Sequence, residues 1–253
     1  MTNDQSHSSN TQINPLGHAS PERYSQDSWP LALLGRMAFW VKELHPSGRH
    51  ILDIGCGEGA LLHRLGFSGV GVDLNTERLA LAKVREIAVM QGDGCNLPFN
   101  NQQFSTVVSM EVLEHVPEMA RMMQEVYRVL EPGGYWIVSV PSVTLRSRYE
   151  MWREKRPYYC DGEEHYREFS ESDVNGFEHR FMRVSDFIAM FEACGFTIAN
   201  RDGVRYVFPQ WFSRFPMLQG WFESPKRDRL WALLPWVRRF PYWTILVFQR
   251  EAS

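Results

Sequence analysis

A chain of 253 residues with 44% hydrophobic side chains is long enough for one elaborated α/β domain or two small ones, and apolar enough for a full core. Its formal net charge of −3 gives no electrostatic case for nucleic acid as a partner. The cysteines Cys56, Cys95, Cys160 and Cys194 form no CxxC pair, which argues against a zinc ribbon or a disulfide framework and fits a reducing, cytoplasmic setting. The first residues are polar and lack the apolar centre of a signal peptide, so 1–28 reads as a disordered tail. No apolar run approaches the roughly 18 residues needed to cross a bilayer.

After the tail, residues 31–43 are apolar on nearly every face and read as a buried helix ended by the turn His45-Pro46-Ser47-Gly48. His50-Ile51-Leu52-Asp53-Ile54 is a short buried strand stopped by glycines. Residues 60–65 carry Leu61, Leu62 and Leu65 at helical spacing. A second strand follows over 69–73, then a helix over 76–84 with Asn75 as its cap. Strands are expected at 87–91 and 104–110, and a helix over 117–130 with Met119, Met122, Met123, Val126 and Leu130 on one face. Glu131-Pro132-Gly133-Gly134 reads as a turn before a fifth strand over 135–140.

Past Pro141 the alternation breaks. Residues 142–180 are polar and aromatic, with charge of both signs. Order returns at Ser185, read as the cap of an amphipathic helix that Gly195 ends. A sixth strand over 196–199 and a late apolar strand over 242–249 close the pattern. Strands alternating with helices at this spacing predict a Rossmann-like α/β fold: a seven-stranded, mostly parallel sheet with helices on both faces. The expected organisation is a 1–28 tail, a 29–203 cofactor-binding domain with an acceptor-side insertion at 142–180, and a 204–253 aromatic, basic extension that includes the closing strand.

The chemistry concentrates where the first strand delivers Asp53-Ile54-Gly55-Cys56-Gly57-Glu58-Gly59 into a helix. Glycines there let the backbone bend tightly and approach a ligand beside unpaired helix amides. Gly55, Gly57 and Ala60 also satisfy the looser dinucleotide fingerprint, so a nicotinamide-dependent oxidoreductase is the competing reading. Asp73 ends the second strand, where a carboxylate can accept both ribose hydroxyls. Gly92-Asp93-Gly94 ends the third, where a carboxylate can accept from an adenine amino group. Three acids at the carboxyl ends of three successive strands point into one crevice, the place where open α/β sheets bind ligands.

These segments, with Met110-Glu111-Val112-Leu113-Glu114-His115-Val116 and Leu130-Glu131-Pro132-Gly133-Gly134, resemble the ordered motifs of class I S-adenosylmethionine-dependent methyltransferases. The subgroup resembled is the small-molecule one that includes the ubiquinone-biosynthesis O-methyltransferases. The likeness is close over about 51–141 and looser through Glu178-His179-Arg180-Phe181 to Gly195-Phe196. It implies that Gly55, Gly57 and Gly59 cradle the methionine end of S-adenosylmethionine (AdoMet), with Asp53 reaching its ammonium directly or through water. Asp73, with Leu74, would take the ribose, and Asp93, with Gly94, the adenine. Met110 and Glu111 would line the cleft. AdoMet is a cation without phosphate, so acids around the loop suit it and would repel a pyrophosphate.

Methyl transfer needs alignment and exclusion of water more than functional groups. If the acceptor is a hydroxyl, a general base helps, and His115 is the nearest candidate in sequence, with a packing role equally open. His165 and His179 are second-rank candidates. Glu163-Glu164-His165 invites a metal reading that no second cluster supports, so no metal is assigned. Tyr24 and Trp29 could form a lid or pack in the core. The insertion, with Tyr149, Trp152, Tyr158, Tyr159 and Tyr166 among arginines, is expected to face a small-molecule, glycan or lipid-like acceptor methylated at oxygen or carbon. Residues 204–243 interleave Trp211, Trp221, Trp231 and Trp236 with basic residues, and Trp243 follows. That composition suits either peripheral contact with a membrane or a small packed subdomain.

Overall fold

The computed structural model describes residues 29–44, 50–66, 69–141, 184–206, 228–231, 233–234 and 241–252. The expected tail, the acceptor-side insertion and most of 204–240 lie outside them. In chain order the elements are α1 (Trp29–Leu44), β1 (Ile51–Ile54), α2 (Ala60–Leu65), β2 (Gly69–Asp73), α3 (Thr76–Val84), β3 (Ala88–Gln91) and β4 (Phe104–Met110). A short 3-10 turn (Leu113–His115) precedes α4 (Met119–Val129), β5 (Leu130–Pro141), α5 (Val184–Ala193), β6 (Phe196–Tyr206), α6 (Asp228–Trp231) and β7 (Pro241–Arg250).

The strands form one seven-stranded sheet in the order β3-β2-β1-β4-β5-β7-β6. β1 runs parallel to both β2 and β4, and the parallel pairing extends to β3 on one side and β5 on the other. β7 alone is antiparallel, inserted between β5 and β6. A dinucleotide-binding sheet has six strands in the order 3-2-1-4-5-6 with no such insertion. The winding reverses between β3 and β4, so a crevice opens over the carboxyl ends of β1 and β4, the switch point of the fold.

Both faces of the sheet are covered, so all four residues of β1 and the first six of β4 are buried. On one face Met119, Met122, Met123, Val126 and Val129 of α4 join Phe187 and Phe191 of α5 over Leu52, Ile54, Val107 and Trp136. On the other, α1 and α2 pack Leu33, Met37, Val41, Leu61 and Leu62 against Ile51, Val108, Ile137 and Ile245. Trp136 is wholly buried; its indole N–H donates to Ser109 Oγ at 3.1 Å and its ring lies 4.7 Å from Phe191, which stacks on Phe248 at 3.8 Å. At the far edge, Arg36 and Trp40 of α1 both donate to Asp202 Oδ2 of β6, at 3.1 and 2.9 Å.

Several expected boundaries move for local reasons. Asn75 caps α3 as anticipated, accepting from the amides of Glu77 and Arg78 at 3.0 Å each. β5, however, begins at Leu130. Phe104 pairs with Leu130 while Thr106 pairs with Tyr135, so the expected turn Glu131-Pro132-Gly133-Gly134 is a bulge within the ladder. Ser185 lies inside the first turn of α5 and bonds Asp186 Oδ1 at 3.0 Å instead of capping the helix. β6 runs on through the 203/204 boundary to Tyr206, and β7 returns to the same sheet.

Trp136→Ala would open a cavity at the centre of the larger cluster and strand Ser109. Such truncations cost about 3–5 kcal/mol. The urea midpoint of Trp136→Ala is expected to fall accordingly, while Leu233→Ala, at an exposed site, leaves it within about 0.5 kcal/mol of the native value.

Candidate active site

The glycine-rich loop is shaped by what it touches. Gly55, Gly57 and Gly59 all take left-handed backbone, with φ of 71°, 51° and 72°. At Gly55 there is also no room: a β-carbon would stand 2.3 Å from Val112 Cγ2, so the loop after β1 and the turn after β4 touch at backbone distance. The amides of Gly55 and Cys56 both donate to the Val72 carbonyl, at 2.7 and 3.1 Å. Asp73 then closes the loop: Oδ2 accepts from the Gly57 amide and Oδ1 from the Asn75 amide, both at 2.8 Å. Arg85 donates to the Glu58 carbonyl at 2.6 Å and pins the far side.

Asp53 lies in the middle of this arrangement, in a strand whose four residues are all buried. Burial, and then the charge of Asp73, push its carboxyl up to about 8. Among the described residues no cation stands against it. The neighbouring Cys56 thiol is pushed far up by the same burial and the same acids. Among the described residues, Asp53 and Asp73 pair with no lysine or arginine, and Arg85 is turned to Glu58 at the far side of the loop.

The third acid shapes its own turn. Asp93 Oδ1 accepts from the Cys95 amide at 2.8 Å and its carbonyl from the Asn96 amide at 2.9 Å. The loop that follows is clasped by α4. Glu125 accepts from the Leu97 amide at 2.8 Å, and Arg128 donates to the carbonyls of Leu97 (3.0 Å) and Phe99 (2.7 Å) while paired with Glu125 at 2.8 Å. That pairing holds the Glu125 carboxyl below its usual range. Gly94 packs on β1, where a β-carbon would stand 3.1 Å from Ile54. Leu74 stands exposed on the rim at 65%, and Met110 is half-buried at the end of β4.

Beyond β4 the structure gathers groups the sequence did not connect. Glu111 hydrogen-bonds Ser139 of β5 and the Trp243 indole of β7. Glu114 is wholly buried one turn on. His115 is half-buried, with Nε2 4.0 Å from Glu114 Oε1, beyond hydrogen-bond reach. Ser139, Trp243 and Glu114 were not singled out as site residues. The pairing of β4 with β5 and of β5 with β7 brings the first two in, and only a predicted strand register could have shown it. His165, His179, Tyr24 and Glu163-Glu164-His165 lie outside the described residues.

Residues 52–138 match the family model described as a methyltransferase domain. That stretch is a class I AdoMet-dependent methyltransferase domain. The methyltransferase relatives agree. The chain is 36% identical over 124 residues to the demethylmenaquinone methyltransferase of Lactobacillus johnsonii, covering 44% of this chain and 48% of that protein. It is 33% identical over 111 residues to the ubiquinone biosynthesis O-methyltransferase of Paracidovorax citrulli, covering 38% and 45%. The chain thus spans about half the length of the curated relatives it matches. A crystal structure of an S-adenosylmethionine-dependent methyltransferase from Mesorhizobium loti superposes with a TM-score of 0.55 at 19% identity, over 86% of this chain and all of that one, and shares the fold.

The residues of this methyltransferase domain fit AdoMet on structural grounds. Asp53 is a buried acid awaiting a positive charge. Asp73 has lone pairs to spare beyond its two amide bonds. The glycine loop is open at Gly57, where an added β-carbon would meet only Arg78 Cδ, at 3.8 Å. Among the described residues no group of three or more His, Cys, Asp and Glu side chains is arranged to hold a metal ion.

Gly55→Ala is expected to destabilise the domain by about 1–3 kcal/mol through overpacking against Val112. In the double variant with Val112→Ala, part of that loss should return. Thermal unfolding of the four chains measures the coupling, and simple additivity would refute the contact.

Proposed function

We propose that the whole chain is an AdoMet-dependent methyltransferase for a small-molecule or lipid-like acceptor, transferring to oxygen or carbon. The observation that carries this reading is the buried, uncompensated Asp53 beside Asp73 under the glycine loop. When bound, AdoMet supplies a methyl carbon activated by its sulfonium. Asp53 would then answer the ammonium, Asp73 would accept from the ribose hydroxyls, and Asp93 would accept from the adenine amino group. The chain's task is to hold the acceptor in line and keep water out. An oxidoreductase reading lacks support because the antiparallel β7 and the acidic pocket suit neither the dinucleotide sheet nor a pyrophosphate.

Removing a hydrogen bond to a charged acceptor costs about 1.5–3 kcal/mol. Asp73→Ala is therefore expected to weaken binding of S-adenosylhomocysteine, the demethylated product, by roughly tenfold to a hundredfold at about 1.4 kcal/mol per decade. The pH dependence follows from Asp53. Its carboxyl is protonated below about 8 in the free protein, and a cationic ligand favours the ionised form, so binding releases a proton. Affinity should rise with pH up to about 8 and then level off, and Asp53→Asn should flatten the curve. Calorimetry that finds tight NADH binding and none for AdoMet overturns the proposal.

The chemistry of the acceptor extends the same proposal. Among the described residues no helix is long and apolar enough to cross a membrane. Tryptophan and basic residues over 204–243 suit docking on an anionic surface, each cation contributing about 1 kcal/mol. The full chain should co-sediment with phosphatidylserine vesicles at low salt and release at high salt. A chain left in the supernatant under both conditions assigns the segment to packing.

A further inference from the structure

Immediately after β4 the backbone adopts a conformation that side-chain-bearing residues rarely take. Glu111 sits at φ 56°, in the left-handed region. Such strain persists where the surroundings enforce it, and it clusters at functional sites. Here the enforcement is explicit. The Glu111 amide donates to both the carbonyl and the hydroxyl of Ser139, at 3.2 and 3.1 Å. The same hydroxyl donates to Glu111 Oε1 at 2.8 Å, and the Trp243 indole donates to the carboxylate. The next residue, Val112, rests on Gly55 of the cofactor loop. A carboxylate is thus clamped from two strands at the switch-point crevice.

Its neighbour is the second observation. Glu114 is wholly buried, and neither of its carboxylate oxygens accepts from another residue among those described. Among the described residues, neither glutamate pairs with a lysine or arginine. A wholly buried carboxylate beside a half-buried one, with no lysine or arginine paired to either among the described residues, disfavours ionisation of both, so the pair holds a proton. Glu111 has two donors that favour the charged form. Glu114 has none from another residue, so the proton belongs there and Glu111 is the ionised partner.

The other titratable groups nearby are few. Among the described residues the 3-10 turn adds His115, with Nε2 4.0 Å from Glu114 Oε1, while β5 and β7 contribute the uncharged donors Ser139 and Trp243. Asp53 of β1 is coupled to Asp73. Burial lifts the Glu111 carboxyl to about 7, and burial with the charge of Glu111 lifts Glu114 well above the usual range. A base poised near the working pH is the most effective one.

We propose that Glu111 is the proton acceptor of the transfer step, and that the acceptor molecule presents a hydroxyl to it. This rests on the methyltransferase reading and narrows it to oxygen. The acceptor's O–H bond breaks and its proton passes to Glu111. The new O–C bond forms as the C–S bond breaks, with that electron pair retained by sulfur. The positive charge of the sulfonium and the negative charge of Glu111 vanish together, and the proton leaves Glu111 to solvent with the product. His115, the base expected from the sequence, stands with Nε2 4.0 Å from Glu114 and is given no part in the step.

The test uses the full chain, catechol as probe acceptor, and labelled AdoMet. Native turnover is expected to rise about tenfold per pH unit below 7 and level off above it. Glu111→Gln should lose a hundredfold or more, the usual worth of a general base, with a flat profile. Its affinity for S-adenosylhomocysteine should stay within threefold of native, which shows that the fold and cofactor pocket are intact. Glu114→Gln, which mimics the protonated partner, should keep the native profile. A carboxyl titration near 7, followed by infrared spectroscopy without acceptor, should be present in the native chain and absent from Glu111→Gln.

Near-native turnover by Glu111→Gln, or an infrared titration unchanged by it, overturns the proposal. So does a native chain that binds S-adenosylhomocysteine and leaves catechol unmethylated. Activity abolished by a chelator and restored by magnesium also overturns it, since the two carboxylates would then ligate a cation. A native chain that fails to bind S-adenosylhomocysteine refutes the methyltransferase reading instead.

Discussion

A carboxylate in the central strand of a dry sheet is the constraint from which the rest of the site follows. β1 is flanked by β2 and β4 and covered on both faces, so Asp53 is buried, and among the described residues no cation answers it. A buried unpaired charge is among the more expensive things a fold can carry, so the free chain keeps this carboxyl protonated below about 8. The acid stands beside a second, Asp73, whose Oδ2 holds the glycine loop through the Gly57 amide and whose Oδ1 holds the Asn75 amide. The loop geometry and the negative potential are therefore one arrangement: the group that bends the backbone also raises the demand for a positive ligand.

The acidic pair beyond β4 repeats this logic at a different point of the crevice. Donors from Ser139 and Trp243 favour the anion of Glu111, whereas among the described residues Glu114 has no donor from another residue to offset its burial. Environments that push two like groups apart are how a protein separates the holder of a proton from its acceptor. Two pairs of acids in a chain of net charge −3 are invisible to bulk electrostatics. Their meaning lies in spacing and dryness, not in number.

Much of this was legible in the residues. A short apolar run stopped by glycines marked β1, and Asn75 announced the start of α3 because a short polar side chain there meets two free amides. Acids at strand ends could be aligned because parallel strands place their carboxyl ends together. Reading failed where partners come from distant strands. Nothing local to Trp243 says that its indole turns inward to Glu111, and composition left the segment between a surface anchor and a packed subdomain. The same holds for β5, whose start at Leu130 is decided by pairing with Phe104 across a bulge. Ser185 had the chemistry of a cap, but α5 begins one residue before it.

The position of β7 has a consequence for how the molecule comes into being. Residues 241–250 are synthesised after β6, yet they fill the gap between β5 and β6, so neither older strand has its neighbour until β7 has left the ribosome. Until then β5 is an unfinished edge of the parallel half, rich in buried apolar residues and ready to pair with any passing strand. Each emerging copy therefore passes through an interval in which the main hazard is a neighbouring copy of itself, and chaperone capture or slow translation near 207–240 would bear directly on yield.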